Sequence, residues 1–245
     1  MIKFMLQLAK IIMAACIALL FNSCDGVNLG KSITGSGNVT SQTREVAAFD
    51  KIEVSSGLIC EVVQSDKTSV VVEADDNLQA GITTTVVNGT LQIKSIYNNY
   101  KNVKSRKVIV QLPVIAGLQT TSGSTLTTRN VIKSNNVLLK SSSGSTLNAN
   151  VEADKISLES TSGSTINVNG KSLEAETASS SGSTIDAKGL LSNEINSQSS
   201  SGSSTIVHPI VSLNAKASSG SSIGYVKVPQ KITVTENSGG DVSQE

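Results

Sequence analysis

A short phrase returns along this chain about every twenty residues: Thr or Ser, then Ser-Gly-Ser, usually followed by Thr and an aliphatic residue. Its glycines are Gly123, Gly144, Gly163, Gly182, Gly202 and Gly220, at spacings of 21, 19, 19, 20 and 18 residues. A worn copy, Ser238-Gly239-Gly240, follows 19 residues further on. A fixed period of this length narrows the architecture to a solenoid. One repeat is too short to bury a core by itself, so repeats must stack and bury one another.

Registering the chain on these glycines shows which way the side chains face. Seven residues before each glycine stand Val137, Ile156, Ala175, Ile195, Leu213 and Ile232; five before stand Leu139, Leu158, Thr177, Ser197, Ala215 and Val234. Three after stand Leu126, Leu147, Ile166, Ile185 and Ile223, with Ile206 arriving one residue late. Four before stand Lys140, Glu159, Ala178, Gln198 and Lys216. Apolar residues keep one parity and charged residues the other, which is the alternation of a β-strand. A disordered Ser/Thr-rich tract has no reason to keep a parity. Stacking turns the aliphatic columns into inward ladders and leaves the charged column facing water. Glycine suits the corner because it accepts positive φ without a Cβ clash. The flanking serines can bond the backbone or their own copies one coil away. Thr125, Thr146, Thr165, Thr184 and Thr205 read as an outward column. One Thr per strand, without paired Thr-x-Thr, fits β-propensity better than an ice-ordering array. The predicted fold is all-β: a parallel β-helix, or β-solenoid, with coils of about 19–20 residues.

Upstream of the repeats the chain is less regular. Ile52, Val54, Leu58 to Val63 and Ser69 to Val72 are strand-like, and Ile82 to Val87, Asn88-Gly89 and Thr90 to Ile93 form a hairpin signal. Asn-Gly supplies the two positive φ angles of a type I′ turn. The expected organisation is a folded body over 44–245, with 44–117 less regular and 118–245 built from the repeats. Residues 24–43, rich in Gly, Ser, Asn and Thr, read as a flexible tether.

Residues 1–23 read as an export signal. Lys3 and Lys10 precede an apolar run, Ile11 to Phe21, whose 11 residues are too few to span a bilayer. Phe21-Asn22-Ser23-Cys24 has the form of a bacterial lipobox, which makes Cys24 the expected lipidation site and the lipid anchor the expected membrane contact. Cys16 is the alternative site, with a shorter apolar run before it. Removing Lys3 and Lys10 leaves 18 basic residues against 19 acidic ones. That balance offers no field for nucleic acid. With Cys24 lipidated, Cys60 has no disulfide partner. It lies in a strand-like run and reads as a buried structural thiol.

The order of the motifs carries a resemblance. Arg44 to Phe49, then Asp50-Lys51-Ile52-Glu53-Val54, Val62-Val63-Gln64, Val70 to Leu78, Asn88-Gly89-Thr90-Leu91-Gln92-Ile93, Val108 to Pro113, the Ser-Gly-Ser ladder, and finally Tyr225 and Pro229 resemble the bacterial "putative auto-transporter adhesin, head GIN domain" family. The likeness runs over roughly residues 44 to 245. That family usually repeats Ser-Gly-Ser-Gly, whereas Thr or Ser replaces the second glycine here. It also usually has a glycine between the closing tyrosine and proline, where Val226-Lys227-Val228 stands here. The resemblance implies an exported β-solenoid, commonly a Gram-negative envelope lipoprotein, without catalytic residues or a cofactor. The expected function is that of a non-catalytic, envelope-anchored adhesin-like or structural interaction protein, with envelope or host glycans or proteins as the expected partners.

The candidate sites are few. Lys94 to Lys107 has five basic residues, no acid, and both Tyr97 and Tyr100. Aromatics interleaved with cations suit an anionic or sugar-like ligand, so Tyr97, Tyr100, Lys101, Lys104 and Arg106 are the binding candidates. A solvated loop is the plainer reading of the same residues. Glu73-Ala74-Asp75-Asp76 superficially offers paired carboxylates for sugar hydrolysis or calcium. Adjacent strand residues point to opposite faces, however, so a strand-ending turn fits better. His208-Pro209 lacks the spacing of a metal site and reads as a turn. No residues read as catalytic. A carbohydrate-binding module or weak polysaccharide lyase is the alternative function, and a purely structural envelope component the third.

Overall fold

The computed structural model describes residues 31–245; the expected signal segment and Cys24 lie outside them. Strands β1 (Lys31–Thr34), β2 (Val39–Thr43), β3 (Lys51–Val54), β4 (Ile59–Gln64) and β5 (Ser69–Asp75) lead into a 3-10 turn, Asp76–Gly81. Then come β6 (Ile82–Val87), β7 (Thr90–Ser95), β8 (Tyr97–Lys101), β9 (Arg106–Leu112), β10 (Gly117–Thr120) and β11 (Thr125–Thr128). The regular part holds the long strands β12 (Ile132–Ser141), β13 (Thr146–Ser160), β14 (Thr165–Ser179), β15 (Thr184–Ser199) and β16 (Ser204–Ser218). It closes with β17 (Ser222–Tyr225), β18 (Lys231–Asn237) and β19 (Asp241–Gln244). The whole is a parallel β-solenoid of about 7 turns with coils about 19 residues apart.

The Ser-Gly phrase makes the corner. In each copy two consecutive residues are left-handed: Ser162 at φ 56 and Gly163 at φ 67, and likewise Ser181 and Gly182 at φ 55 and 67. Two left-handed central residues are what a type I′ turn needs. The next serine braces the corner: Ser164 Oγ donates to the Thr161 carbonyl at 2.8 Å and accepts the Thr161 N–H at 3.2 Å. Corners also stack, because Gly163 N–H donates to the Ser181 carbonyl at 3.1 Å and Gly144 N–H to that of Ser162 at 3.1 Å. One further copy belongs to this ladder. Ser56 and Gly57 are left-handed (φ 61 and 68), and Gly57 N–H donates to the Ser122 carbonyl at 3.0 Å.

That extra corner explains the irregular first part. Coils stack out of chain order there: β3 pairs in parallel with both β7 and β10, and β4 with both β9 and β11. The chain lays down the β3–β4 coil and leaves through β5 and the β6–β7 hairpin. It adds the β7–β9 coil on one side, then resumes on the other. β5 pairs antiparallel with β9, and β6 with β7 through Asn88-Gly89, as the hairpin signal predicted. The expected tether over 24–43 is corrected for its described residues. β2 pairs antiparallel with β5 over Val39–Thr43, and β1 pairs with β8. Arg44 and Gln79 fasten this segment: Gln79 Nε2 donates to the Thr40 carbonyl at 2.8 Å, and Arg44 donates to the Gln79 carbonyl at 2.8 Å.

The core is aliphatic in the early coils and becomes rich in hydroxyls later. Register partners along one inward column are Leu139, Leu158, Thr177, Ser197 and Ala215, all buried. The serines on either side of each corner also point inward. Ser160 and Ser164 meet at 2.9 Å, and Ser179 lies within 2.8–3.0 Å of Ser199, Ser203 and Thr205. Burying a hydroxyl is costly unless it is paired. Each of these is paired, and the sole buried side-chain polar atom without a partner among the described residues is Arg44 Nε.

One register prediction is corrected. Thr184 pairs with Ser204 and Ile185 with Thr205. The corner fixes the register, so position three after Gly202 still faces inward and Thr205 occupies it, fully buried. Thr205 therefore leaves the outward threonine column, and Ile206 turns half outward. Ser179 supplies the bond that makes a buried threonine tolerable there.

Candidate functional site

The outward face of the stacked sheet formed by β12 and the second halves of β13 to β16 carries the charged column read from the sequence. Two adjoining depressions of about 510 and 430 Å³ lie on it and share Glu159, Ala178, Gln198 and Lys216. Small Ala178 sits between Glu159 and Gln198 in register and makes the dip. The neighbouring column adds Ser157, Glu176, Asn196 and Asn214. Opposite charges are paired along the stack: Lys140 with Glu159 at 2.8 Å and Lys155 with Glu176 at 2.7 Å. Asn214 donates to the Asn196 side chain at 3.2 Å. The face therefore offers amides, hydroxyls, paired charges and the ammonium of Lys216 on a stiff backbone, repeated one coil after another.

The sequence candidates over Lys94 to Lys107 are only partly brought together. Tyr100 packs its ring near Gly57 and donates its hydroxyl to the Ser56 carbonyl at 2.8 Å, covering the first corner. Burial raises its pKa, opposed by a hydrogen bond from Ser95 and by the charge of Arg106. Tyr97 lies against Gly81. Both rings thus hold the fold. Arg106 stacks on Tyr100 with its guanidinium carbon 4.6 Å from the ring centre, a cation–π contact. Arg106, Tyr100, Lys104 and Lys107 line a depression of about 630 Å³ together with Glu61 and Glu73. Glu73 is paired with Lys107 at 3.0 Å, and Glu61 with Arg129. Lys101 is exposed in β8 and does not line this depression.

Asp75 ends β5 and Asp76 opens the 3-10 turn, and both acids reach the same loop. Asp75 is fully buried and accepts backbone N–H groups from Gly37 at 2.9 Å, Lys104 at 3.0 Å and Ser105 at 2.9 Å. Burial works to raise its pKa, but the bonds from Ser105, Gly37 and Lys104 win and hold it below the ordinary carboxylate value. Asp76 accepts from Ser36 at 2.5 Å and Asn38 at 3.0 Å, and these two bonds lower its pKa as well. Together they clasp the 35–38 loop. His208 Nδ1, as the protonated ring nitrogen, donates to the Lys188 carbonyl at 3.0 Å. The expected turn at His208-Pro209 is corrected, since both lie inside β16; Pro209 falls where the β15–β16 register shifts, the kind of place a strand accepts proline. Cys60 is fully buried; burial first, and then the charge of Glu61, push its thiol pKa well up. Among the described residues no group of three His, Cys, Asp or Glu is placed to hold a metal, and no helix is long and apolar enough to cross a membrane.

What defines this molecule is a parallel β-solenoid with stacked type I′ corners and a polar outward face. The chain belongs to the family described as putative auto-transporter adhesin, head GIN domain, whose family model matches residues 48–229. The fold is similar to that of a putative adhesin from Bacteroides fragilis, at TM-score 0.81 and 19% identity over 87% of this chain and 100% of that one. It is also similar to a putative adhesin from Parabacteroides distasonis, at TM-score 0.71 and 19% identity over 88% of this chain and 100% of that one. A putative lipid binding protein from the same organism matches at TM-score 0.69 and 19% identity, over 88% of this chain and 100% of that one. The sequence matches no curated protein.

Proposed function

We propose that this chain is a non-catalytic, adhesin-like interaction module of the bacterial envelope, exported and anchored through a lipid on Cys24. It acts by surface contact along the outward sheet face around Ala178. The observation that carries this reading is the face itself. It continues across successive coils, carries paired charges and the Lys216 ammonium, and has small Ala178 between Glu159 and Gln198. A stiff repeating surface suits many weak contacts acting together rather than one deep pocket.

Carbohydrate is the second reading for the ligand, favoured by the amides of Asn196, Gln198 and Asn214 gathered in one groove. The test is adherence of cells displaying the chain, compared with cells displaying Ala178→Arg. Arginine there fills the groove from an exposed position and leaves the core alone. The reading predicts lost adherence at unchanged protein level, and a rod that protease removes from intact cells. Unchanged adherence overturns the assignment of the face. A rod protected from protease overturns adhesion and favours a periplasmic structural role.

A further inference from the structure

The two ends of the solenoid differ. At the first end, Leu78 of the 3-10 turn is fully buried, and β2, β5 and β6 run antiparallel to their neighbours. At the other end the inward columns of the last described coil are exposed. Leu213 and Ala215 are 2% and 0% exposed, whereas their register partners Ile232 and Val234 in β18 are 39% and 43% exposed. β18 pairs with β16 on one side, and no described strand lies on its other side. It has no proline and no bulge, and of the devices that blunt an edge it carries only the charges of Lys231 and Glu236.

The side chains of β18 specify what fits there. In the coils above, alternate residues aim their backbone groups at the next coil: the carbonyls of Thr120 and Ser160 each accept an N–H from the coil that follows. In register, the residues of β18 that aim theirs past the last coil are Ile232, Val234 and Glu236. An added strand keeps the inward parity only if inward residues face inward residues. For a second copy of β18 running antiparallel, this leaves two central registers. One is centred on Val234 and sets Ile232 against the Glu236 carboxylate. The other is centred on Thr233. It sets Ile232 against Val234, Gln230 against Glu236 as amide to carboxylate, and Lys231 against Thr235. The second pairs aliphatic with aliphatic at Ile232 and Val234 and leaves the inward Glu236 opposite exposed Gln230, just before β18.

We propose that β18 is a self-association edge: two copies of this chain join tail to tail across a two-fold axis at Thr233. This extends both aliphatic columns through the junction. In that register Thr233 and its copy form a non-hydrogen-bonded pair, with Cα atoms about 4.5 Å apart, while Ile232 and Val234 exchange the backbone bonds. One coil end is small against the roughly 800 Å² per partner of a standard interface. The contact is therefore weak between free chains and gains strength when chains share one membrane surface.

Cysteine placement tests this in the full chain with Cys16 and Cys24 replaced by serine; buried Cys60 does not compete. Thr233→Cys brings two thiols within disulfide range, so mild oxidation is expected to give a covalent dimer. Thr235→Cys faces Lys231, and its own copy lies about 13 Å away along the strand; it is expected to stay monomeric. Adding Val234→Lys to Thr233→Cys is expected to remove the dimer while the circular dichroism spectrum stays unchanged. A monomeric Thr233→Cys, equal crosslinking at both positions, or a crosslink that survives Val234→Lys each overturns the proposal.

Discussion

Two glycines of this solenoid share positive φ and should respond very differently to alanine. Gly163, at the corner, has φ +67, and nothing lies within 4 Å of where a Cβ would go. Gly170, inside β14, has φ +128, and an added Cβ would fall 1.9 Å from the Val151 carbonyl oxygen. Gly163→Ala therefore meets only the left-handed penalty, about 1–2 kcal/mol. Gly163→Asn should cost less, because asparagine tolerates that conformation. Gly170→Ala adds to the backbone strain an overlap with main chain that cannot rotate away. Strain of about 1–3 kcal/mol and overpacking of about 1–3 kcal/mol together give about 2–6 kcal/mol. Urea unfolding followed by far-ultraviolet circular dichroism measures both, compared at equal m-value. Equal losses at the two positions would refute the reasoning, since they would mean that space is not what separates a corner from a crossing point.

Other expectations follow from single contacts. Asp75→Asn puts an amide where three backbone N–H groups now meet a carboxylate, and should cost about 1–3 kcal/mol at neutral pH. Because the folded Asp75 pKa is lowered, its contribution is present above the unfolded carboxylate pKa of about 3.9 and is lost as pH falls through the folded value. Stability profiles should therefore show wild type losing more than Asp75→Asn on acidification. Cys60 should resist thiol reagents in the native state and react fully in denaturant. Early native labelling, with Cys16 and Cys24 replaced, would contradict its burial. Glu159→Lys removes an exposed pair with Lys140 and should change stability by no more than about 1 kcal/mol.

The repeat made the architecture readable because the corner chemistry and the strand parity are both local. Gly163 needs its φ and Leu158 needs its face, and both requirements appear as spacing. The first corner, Ser55-Ser56-Gly57-Leu58, keeps the left-handed Ser-Gly pair but has Leu58 where the later copies have the bracing serine. It escapes a periodic reading because β5 to β9 are inserted after it, which places Gly57 66 residues before Gly123. The buried hydroxyls were hidden for another reason. Serine beside a turn is ordinarily exposed, and only the stacking of corners turns Ser160, Ser164 and Ser179 inward. Thr205 shows the same limit. Hydropathy favours Ile206 for the core, but the corner fixes the register and Thr205 takes the place. The tyrosines of the basic segment looked available because their partners, Ser56 and Gly81, are distant in sequence. The polar face was legible as a column of residues, while its depression around Ala178 depends on neighbours from separate coils.

Under the proposed function, the outward face around Ala178 binds its ligand without turning it over. The direct measurement presents the full chain with a panel of envelope and host polysaccharides and proteins, and follows retention and product release in the same samples. The account predicts reversible retention of at least one class, lost in Ala178→Arg, with every ligand recovered intact. Release of shortened polysaccharide, or retention that Ala178→Arg leaves untouched, would contradict it.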